Sequence, residues 1–261
     1  AGVNRLSIGS QSFDDRVLQW MHRTHDANAI ARSVDAARSA GITDYSLDLI
    51  FALPDSLHRD WQADLNAAVA LQPDHLSLYG LTVEPATPVA RWRSRGQMRE
   101  APEERYEREF LTAHELLAAH GFEHYEVSNY ARPGHMARPN SAYWTGAPYA
   151  GIGPSAHGFD GASRRWNISA YTAWLAAVAG GQDPIDGQEL LSDESRRVED
   201  AYLGLRTARG LQLEAGEAET LQPWLDAGWA TVNSTGTLRV TPLGWLRLDA
   251  LTERLTNLRS H

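Results

Sequence analysis

Apolar positions along the chain come in short runs broken by polar punctuation. Val3, Leu6 and Ile8 precede the polar cluster Ser10-Gln11-Ser12, which predicts a strand ending in a polar loop. Asp26 is placed as an N-cap, Ile30, Val34 and Ala37 recur at helical spacing, and Gly41 closes that helix. Tyr45 to Leu53 reads as a buried strand stopped by Pro54. Ser56 is placed to cap a helix bearing Trp61, Leu65 and Ala68, and His75 to Leu81 reads as a third strand. Strand–helix units of this length predict right-handed crossovers and a parallel sheet, hence an α/β fold.

Glu84 to Met98 reads as a Pro-containing loop, and Pro102 opens a helix striped with Tyr106, Phe110, Ala113 and Leu117. Phe122 to Val127 is the expected fourth strand, and residues 129–148 read as loop. Ser169 is placed to cap a helix carrying Trp174, Leu175 and Val178. Gly180-Gly181-Gln182-Asp183-Pro184 reads as a boundary, dividing the chain into residues 1–183 and 184–261. Beyond it come a helix marked by Val198, Tyr202 and Leu205, a second over 215–227, a hairpin turning at Asn233 to Gly236, and a last helix from Leu243 to Leu258. That order is winged-helix-like, a small α+β domain.

Composition narrows the chemistry. All 24 basic residues are Arg and there is no Cys. Schiff-base lysine chemistry, a P-loop lysine, a thiol nucleophile and thiolate-held metal are therefore outside this chain's means. The net charge is −9 over 261 residues, and residues 186–261 hold twelve acidic residues against eight Arg. This balance argues against nucleic acid as a partner of the winged-helix-like part. No apolar run approaches the roughly 20 residues that span a bilayer. The first residue is not Met and a strand-like pattern begins at once, so we expect the chain to be truncated at its N-terminus.

In parallel α/β sheets ligands sit at the carboxyl ends of the strands, where Gln11 and Thr82 fall. Asp48 lies between Leu47 and Leu49 inside an apolar strand and needs a partner there. Arg23, in the segment after the first strand, is one candidate; a structural ion pair or an interior hydrogen bond is the alternative. His22 and His25, and His120 and His124, are spaced for metal but lack a third ligand, and read as solvated. Tyr143, Trp144 and Trp166 are candidates for an aromatic pocket, or for core packing.

Taken in order, the motifs are more specific than any one of them. They run Gly2-Val-Asn-Arg-Leu-Ser-Ile-Gly-Ser-Gln-Ser-Phe13, Arg23-Thr-His25, Leu47-Asp-Leu-Ile-Phe-Ala-Leu-Pro54 and Leu76-Ser-Leu-Tyr-Gly-Leu-Thr-Val-Glu-Pro85. Tyr125-Glu-Val-Ser-Asn-Tyr-Ala-Arg-Pro-Gly134, Asn140-Ser-Ala-Tyr-Trp144 and Gly151-Ile-Gly-Pro-Ser-Ala-His-Gly158 follow. This set resembles the oxygen-independent coproporphyrinogen III oxidase-like radical SAM family, and within it the heme chaperone branch. The resemblance implies the C-terminal portion of a partial (β/α)6 barrel followed by the winged-helix-like domain. It implies S-adenosylmethionine held by Gln11, Arg23, Asp48 and the backbone near Thr82. It also implies a 4Fe-4S cluster on a C-x-x-x-C-x-x-C motif that would lie before Ala1. Asn140, Tyr143, Trp144 and His157 would belong to a pocket for heme or porphyrin, or for S-adenosylmethionine.

The same resemblance implies a cytoplasmic protein that hands heme to an acceptor protein and leaves room for peripheral contact with membrane proteins. The alternative it carries is an enzyme, oxidatively decarboxylating coproporphyrinogen III in porphyrin biosynthesis. One departure stands out. Ala137-Arg138-Pro139-Asn140 occupies the place where the chaperone branch usually reads Cys-Arg-His-Asn. A peptide-bonded Pro offers iron no lone pair, so axial ligation from position 139 is excluded here, and His135 and His157 are left as candidates.

Overall fold

The computed structural model describes residues 2–260, which divide into two compact units between Met136 and Ala137. The first unit runs β1 (Arg5–Gln11), α1 (Asp15–Trp20), α2 (Ala27–Ser39), β2 (Asp44–Phe51), α3 (Trp61–Ala70), β3 (His75–Gly80), α4 (Pro88–Ser94), α5 (Glu103–Ala119), β4 (Glu123–Glu126) and β5 (Asn129–Ala131). Its five strands form an open sheet in the order β1-β2-β3-β5-β4, with no closed barrel among the described residues. β1, β2 and β3 are parallel, in the register Ser7 to Ser46 and Asp48 to Ser77. This is the expected parallel α/β core.

Local chemistry sets the helix starts. The Asp26 carboxylate accepts from the Ala29 N–H at 2.7 Å and caps α2. The cap of α3 is Asp60 rather than Ser56, with its carboxylate 3.0 Å from the Ala63 N–H. Residues Asp55–Leu57 instead form a 3-10 turn, and His58 then adopts a left-handed conformation (φ 47°) that breaks any helix begun at Ser56. The expected loop 84–98 contains α4, capped by Thr87 with Pro88 in its first turn. The expected fourth strand forms as β4 but does not pair with β3. A tight turn at Val127-Ser128 folds β5 back between them, antiparallel to both, with His124 stacked on Tyr130 at 3.9 Å.

Alternation along the strands divides the sheet into two faces. Tyr45, Leu47, Leu49, Phe51, Leu76 and Leu78 are buried on one. There Phe51 meets the rings of Trp61, Tyr106 and Phe110 from α3 and α5. The other face carries Ser7, Ser46, Asp48, His75 and Ser77.

The second unit holds α6 (Arg138–Trp144), β6 (His157–Phe159), β7 (Ser163–Asn167), α7 (Tyr171–Ala179) and β8 (Ile185–Leu190). α8 (Asp193–Gly204), β9 (Leu211–Gln212), α9 (Glu217–Thr220) and α10 (Gln222–Asp226) follow. β10 (Ala230–Val232), β11 (Thr237–Val240), α11 (Pro242–Trp245) and α12 (Leu248–Arg259) complete it. β6, β7 and β8 form one antiparallel sheet. The expected boundary at 183/184 thus falls in the connection leading into a strand of that sheet. From α8 onward the helix, helix, hairpin, helix order is present, with β9 added to the hairpin. The second and last helices are each broken in two, at Leu221 and at Leu246-Arg247. Leu205, Leu221, Leu238 and Leu255 form the buried centre.

Candidate functional site

The carboxyl ends of β1 to β3 gather three of the expected residues on neighbouring strands. Gln11 ends β1 in a left-handed conformation (φ 66°), past an irregularity in the pairing with β2 that leaves it opposite Leu49. Asp48 is half-buried one residue earlier on β2. Thr82 follows β3, its hydroxyl donating to the Gly80 carbonyl at 3.3 Å. Arg23 lies in the α1–α2 connection, exposed, in a cleft lined by Asp15, Gln19 and Asp26.

The suggested Arg23–Asp48 ion pair does not form. The register pairs Ser7 with Ser46, two residues before Asp48 on the same face, and the Ser7 hydroxyl lies 3.0 and 3.1 Å from the two Asp48 carboxylate oxygens. Ser46 adds a longer contact at 3.4 Å. Asp48 therefore has hydroxyl partners on its own face of the sheet, and neither Asp48 nor Arg23 makes an ion pair among the described residues. A half-buried carboxylate on one strand and a free guanidinium in the adjoining connection suit a zwitterionic ligand carrying an ammonium or hydroxyls and a carboxylate.

The same face continues as a hydrogen-bonded chain that the sequence did not disclose. The Ser46 Oγ is 2.8 Å from the Nδ1 of His75, whose Nε2 is 2.8 Å from the Tyr125 hydroxyl. Burial pushes the His75 imidazole down to about 3, so it stays neutral with both nitrogens engaged.

Beneath the strand ends lies a buried charge cluster, also unforeseen. Asp64 accepts from the Ser12 hydroxyl and the Phe13 N–H, both at 2.7 Å, and so fixes the chain leaving β1. Glu109 accepts from the Ala52 N–H at 2.7 Å and fixes the chain leaving β2, where Ala52 has φ 55°. Arg59, with no side-chain exposure, lies between them at 3.3 Å from Asp64 and 3.0 Å from Glu109, over the Trp61 ring. Burial pushes the Asp64 carboxyl up, against the pull of these donors. The signal was present: Asp64 occupies the apolar stripe of Trp61, Leu65 and Ala68, and Glu109 sits beside Phe110.

In the second unit, α6 carries Asn140, Tyr143 and Trp144. Pro139 occupies its first turn, where a missing N–H costs no helical hydrogen bond. Tyr143 is half exposed and meets Tyr149 edge-on at 4.7 Å; Tyr149 in turn bridges to Phe159 of β6. His157 is exposed on β6, across from Trp166 at 6.0 Å between rings. Gly151 is required because a Cβ there would lie 2.4 Å from the His157 carbonyl oxygen. His135 belongs to the first unit. Its ring nitrogen faces Asp44 and Asp74 at 3.6 and 3.9 Å.

The paired histidines resolve differently from their spacing. His22 packs on Trp92, and His120 contacts the Leu116 carbonyl. His124 is not solvated: it stacks on Tyr130 and its Nδ1 lies 3.2 Å from that of His114, because β4 folds onto α5. Among the described residues no helix is long and apolar enough to cross a membrane.

No protein-family profile matches the chain. The chain is 38% identical over 213 residues to the heme chaperone HemW of Synechocystis, covering 80% of this chain and 52% of that protein. It is 34% identical over 258 residues to the heme chaperone HemW of Mycobacterium tuberculosis, covering 98% of this chain and 66% of that protein. The chain therefore spans between about half and two thirds of the length of these curated relatives. Among solved structures, coproporphyrinogen III oxidase (HemN) from Escherichia coli, a radical SAM enzyme, superposes with a TM-score of 0.75 over 98% of this chain and 65% of that one, at 20% identity. The chain is thus a homologue of the HemW heme chaperones over most of its length, built on the fold of the radical SAM coproporphyrinogen III oxidase.

Proposed function

We propose that this chain is the heme-handling part of a heme chaperone of the HemW type, binding heme and passing it to an acceptor protein. The observation that carries the reading is the similarity to a HemW protein across 258 residues, which takes in both compact units. In this reading the residues that meet the macrocycle are Asn140, Tyr143, Trp144 and His157, with His157 facing the iron because Pro139 offers it nothing. An exposed Tyr143 and an exposed imidazole suit a macrocycle that is held loosely and given up.

At the strand ends we assign Gln11, Arg23, Asp48 and Thr82 to S-adenosylmethionine. The Asp48 carboxylate and the Arg23 guanidinium, neither in an ion pair among the described residues, fit its amine or hydroxyls and its carboxylate. When bound, that group supplies a sulfonium methionine and an adenosine. The 4Fe-4S cluster is a different matter. The chain has no Cys and offers no thiolate to hold one, so no step is routed through a cluster on these residues. The acceptor, and any membrane-associated partner, belong to the whole protein.

Hemin titration of the purified chain, followed at the Soret band, tests the reading. The expected result is saturable one-to-one binding, weakened by His157→Ala and tightened with a shifted Soret band by Pro139→His. Binding that never saturates would remove the heme assignment. Binding unaffected by either substitution would remove the residues assigned to it.

A further inference from the structure

At the opposite end of the β1–β3 strands, away from the candidate ligand site, three side chains converge. Asp44 begins β2, Asp74 immediately precedes β3, and His135 follows the turn after β5. Their ligating atoms all lie within 4.8 Å of one another. The His135 Nδ1 is 3.6 Å from Asp44 Oδ2 and 3.9 Å from Asp74 Oδ1.

These separations are too long for hydrogen bonds, which bring an imidazole nitrogen and a carboxylate to about 2.7–2.9 Å. They approach the edge of a tetrahedron of ligands around a zinc-class ion, roughly 3.4 Å for metal–ligand bonds near 2.1 Å. Asp44 Oδ1 also accepts no hydrogen bond although it is buried; its cationic neighbour is Arg5 Nε at 3.6 Å. We propose that Asp44, Asp74 and His135 form a binding site for a borderline divalent transition ion such as zinc, with water as the fourth ligand.

The chemistry and the backbone both support it. One imidazole with two carboxylates suits zinc-class ions, whereas calcium takes six to eight oxygens. Arg5 offsets one of the two carboxylate charges, leaving a net negative site for a dication. The frame is held without the metal. The Asp74 N–H donates to the Tyr45 carbonyl at 3.3 Å, the Arg132 N–H to the Asp74 carbonyl at 2.9 Å, and the His135 N–H to the Arg132 carbonyl at 2.9 Å. The Arg5 guanidinium donates to the His135 carbonyl at 2.9 Å. The side chains are 22–40% exposed, which leaves access for a water ligand. A bound ion would staple β2, β3 and the segment after β5, and so stabilise the first unit by mass action.

The test is cobalt(II) titration of the purified 261-residue chain near neutral pH, with zinc as competitor. With no Cys present, a visible ligand-field band of four-coordinate intensity reports nitrogen and oxygen ligation alone. The expected result is a one-to-one endpoint, displacement by zinc, and a zinc-dependent rise in melting temperature. His135→Ala and Asp74→Asn should each weaken binding more than about tenfold, while His114→Ala leaves it intact. Circular dichroism shows whether each variant is folded. No saturable binding at micromolar metal would overturn the site. Binding that persists in His135→Ala would place the metal on other histidines and overturn it equally.

Discussion

The two faces of the five-stranded sheet are made by alternate residues of the same strands, yet they solve opposite problems. On the helix side, Leu47, Leu49 and Leu76 are fully buried and the charges present are locked into Arg59, Asp64 and Glu109. On the other side, Ser46, Asp48 and His75 are linked by hydrogen bonds, and Asp48 makes no ion pair among the described residues. The first face fixes where the strand ends lie; the second leaves polar groups available beside them. A charge that is paired is there to hold backbone, as Asp64 holds Phe13 and Glu109 holds Ala52. A charge that is only solvated by hydroxyls is available for a ligand.

Breaking the satisfied cluster should have the largest effect. Arg59→Ala leaves the buried Asp64 carboxylate without its cation and Glu109 with Arg105 alone, and is expected to cost about 3–5 kcal/mol in urea unfolding. Leu47→Ala, on the same face, should cost about 2–5 kcal/mol, through lost burial and the cavity left behind. If Arg59→Ala is instead neutral, the cluster does not hold the strand ends.

Acidification probes both faces at once, since each carries a neutral buried imidazole. His75 and His124 have folded-state values pushed down to about 3, below the ordinary 6.5. Between those limits the unfolded chain binds more protons, so stability rises with pH there. It is fully present above pH 6.5 and is lost as pH falls toward 3, by up to about 1.4 kcal/mol per pH unit for each histidine. Chemical unfolding in this window should show that slope, and His75→Gln should flatten part of it. A pH-independent stability from 6.5 to 4.5 would contradict the burial of both rings.

Asp48→Asn should have the smallest effect on stability, within about 1 kcal/mol, because no buried cation is left unpaired. A loss comparable to that of Arg59→Ala would show that Asp48 is structural, and the contrast between the faces would fail.

Much of this was legible because periodic apolar patterns survive into the structure. β1, α2, β2, α3 and β3 fall where alternation and 3.6-residue spacing put them, and Asp48 stood out as a charge inside an apolar run. β5 was missed because three residues carry no periodic signal, and its place between β3 and β4 is decided by a tight turn. Asp64 and Glu109 were passed over because a polar residue on a helical stripe reads as solvated until its partner is known. That partner, Arg59, lies outside both helices. The Arg23–Asp48 pairing failed for a related reason: proximity of a connection to a strand end does not fix which side chains meet, and the Ser7 hydroxyl on the neighbouring strand is the group that reaches Asp48. The convergence of Asp44, Asp74 and His135 depends on three separate elements and left no local mark.

Transfer of heme from the loaded chain to an apo-hemoprotein scavenger tests the central claim most directly, because it measures binding and release together. The account predicts a saturable heme complex that gives up its heme readily, with Pro139→His slowing the transfer by adding an iron ligand. Failure to load heme, or transfer at the rate of free hemin in both proteins, would contradict it.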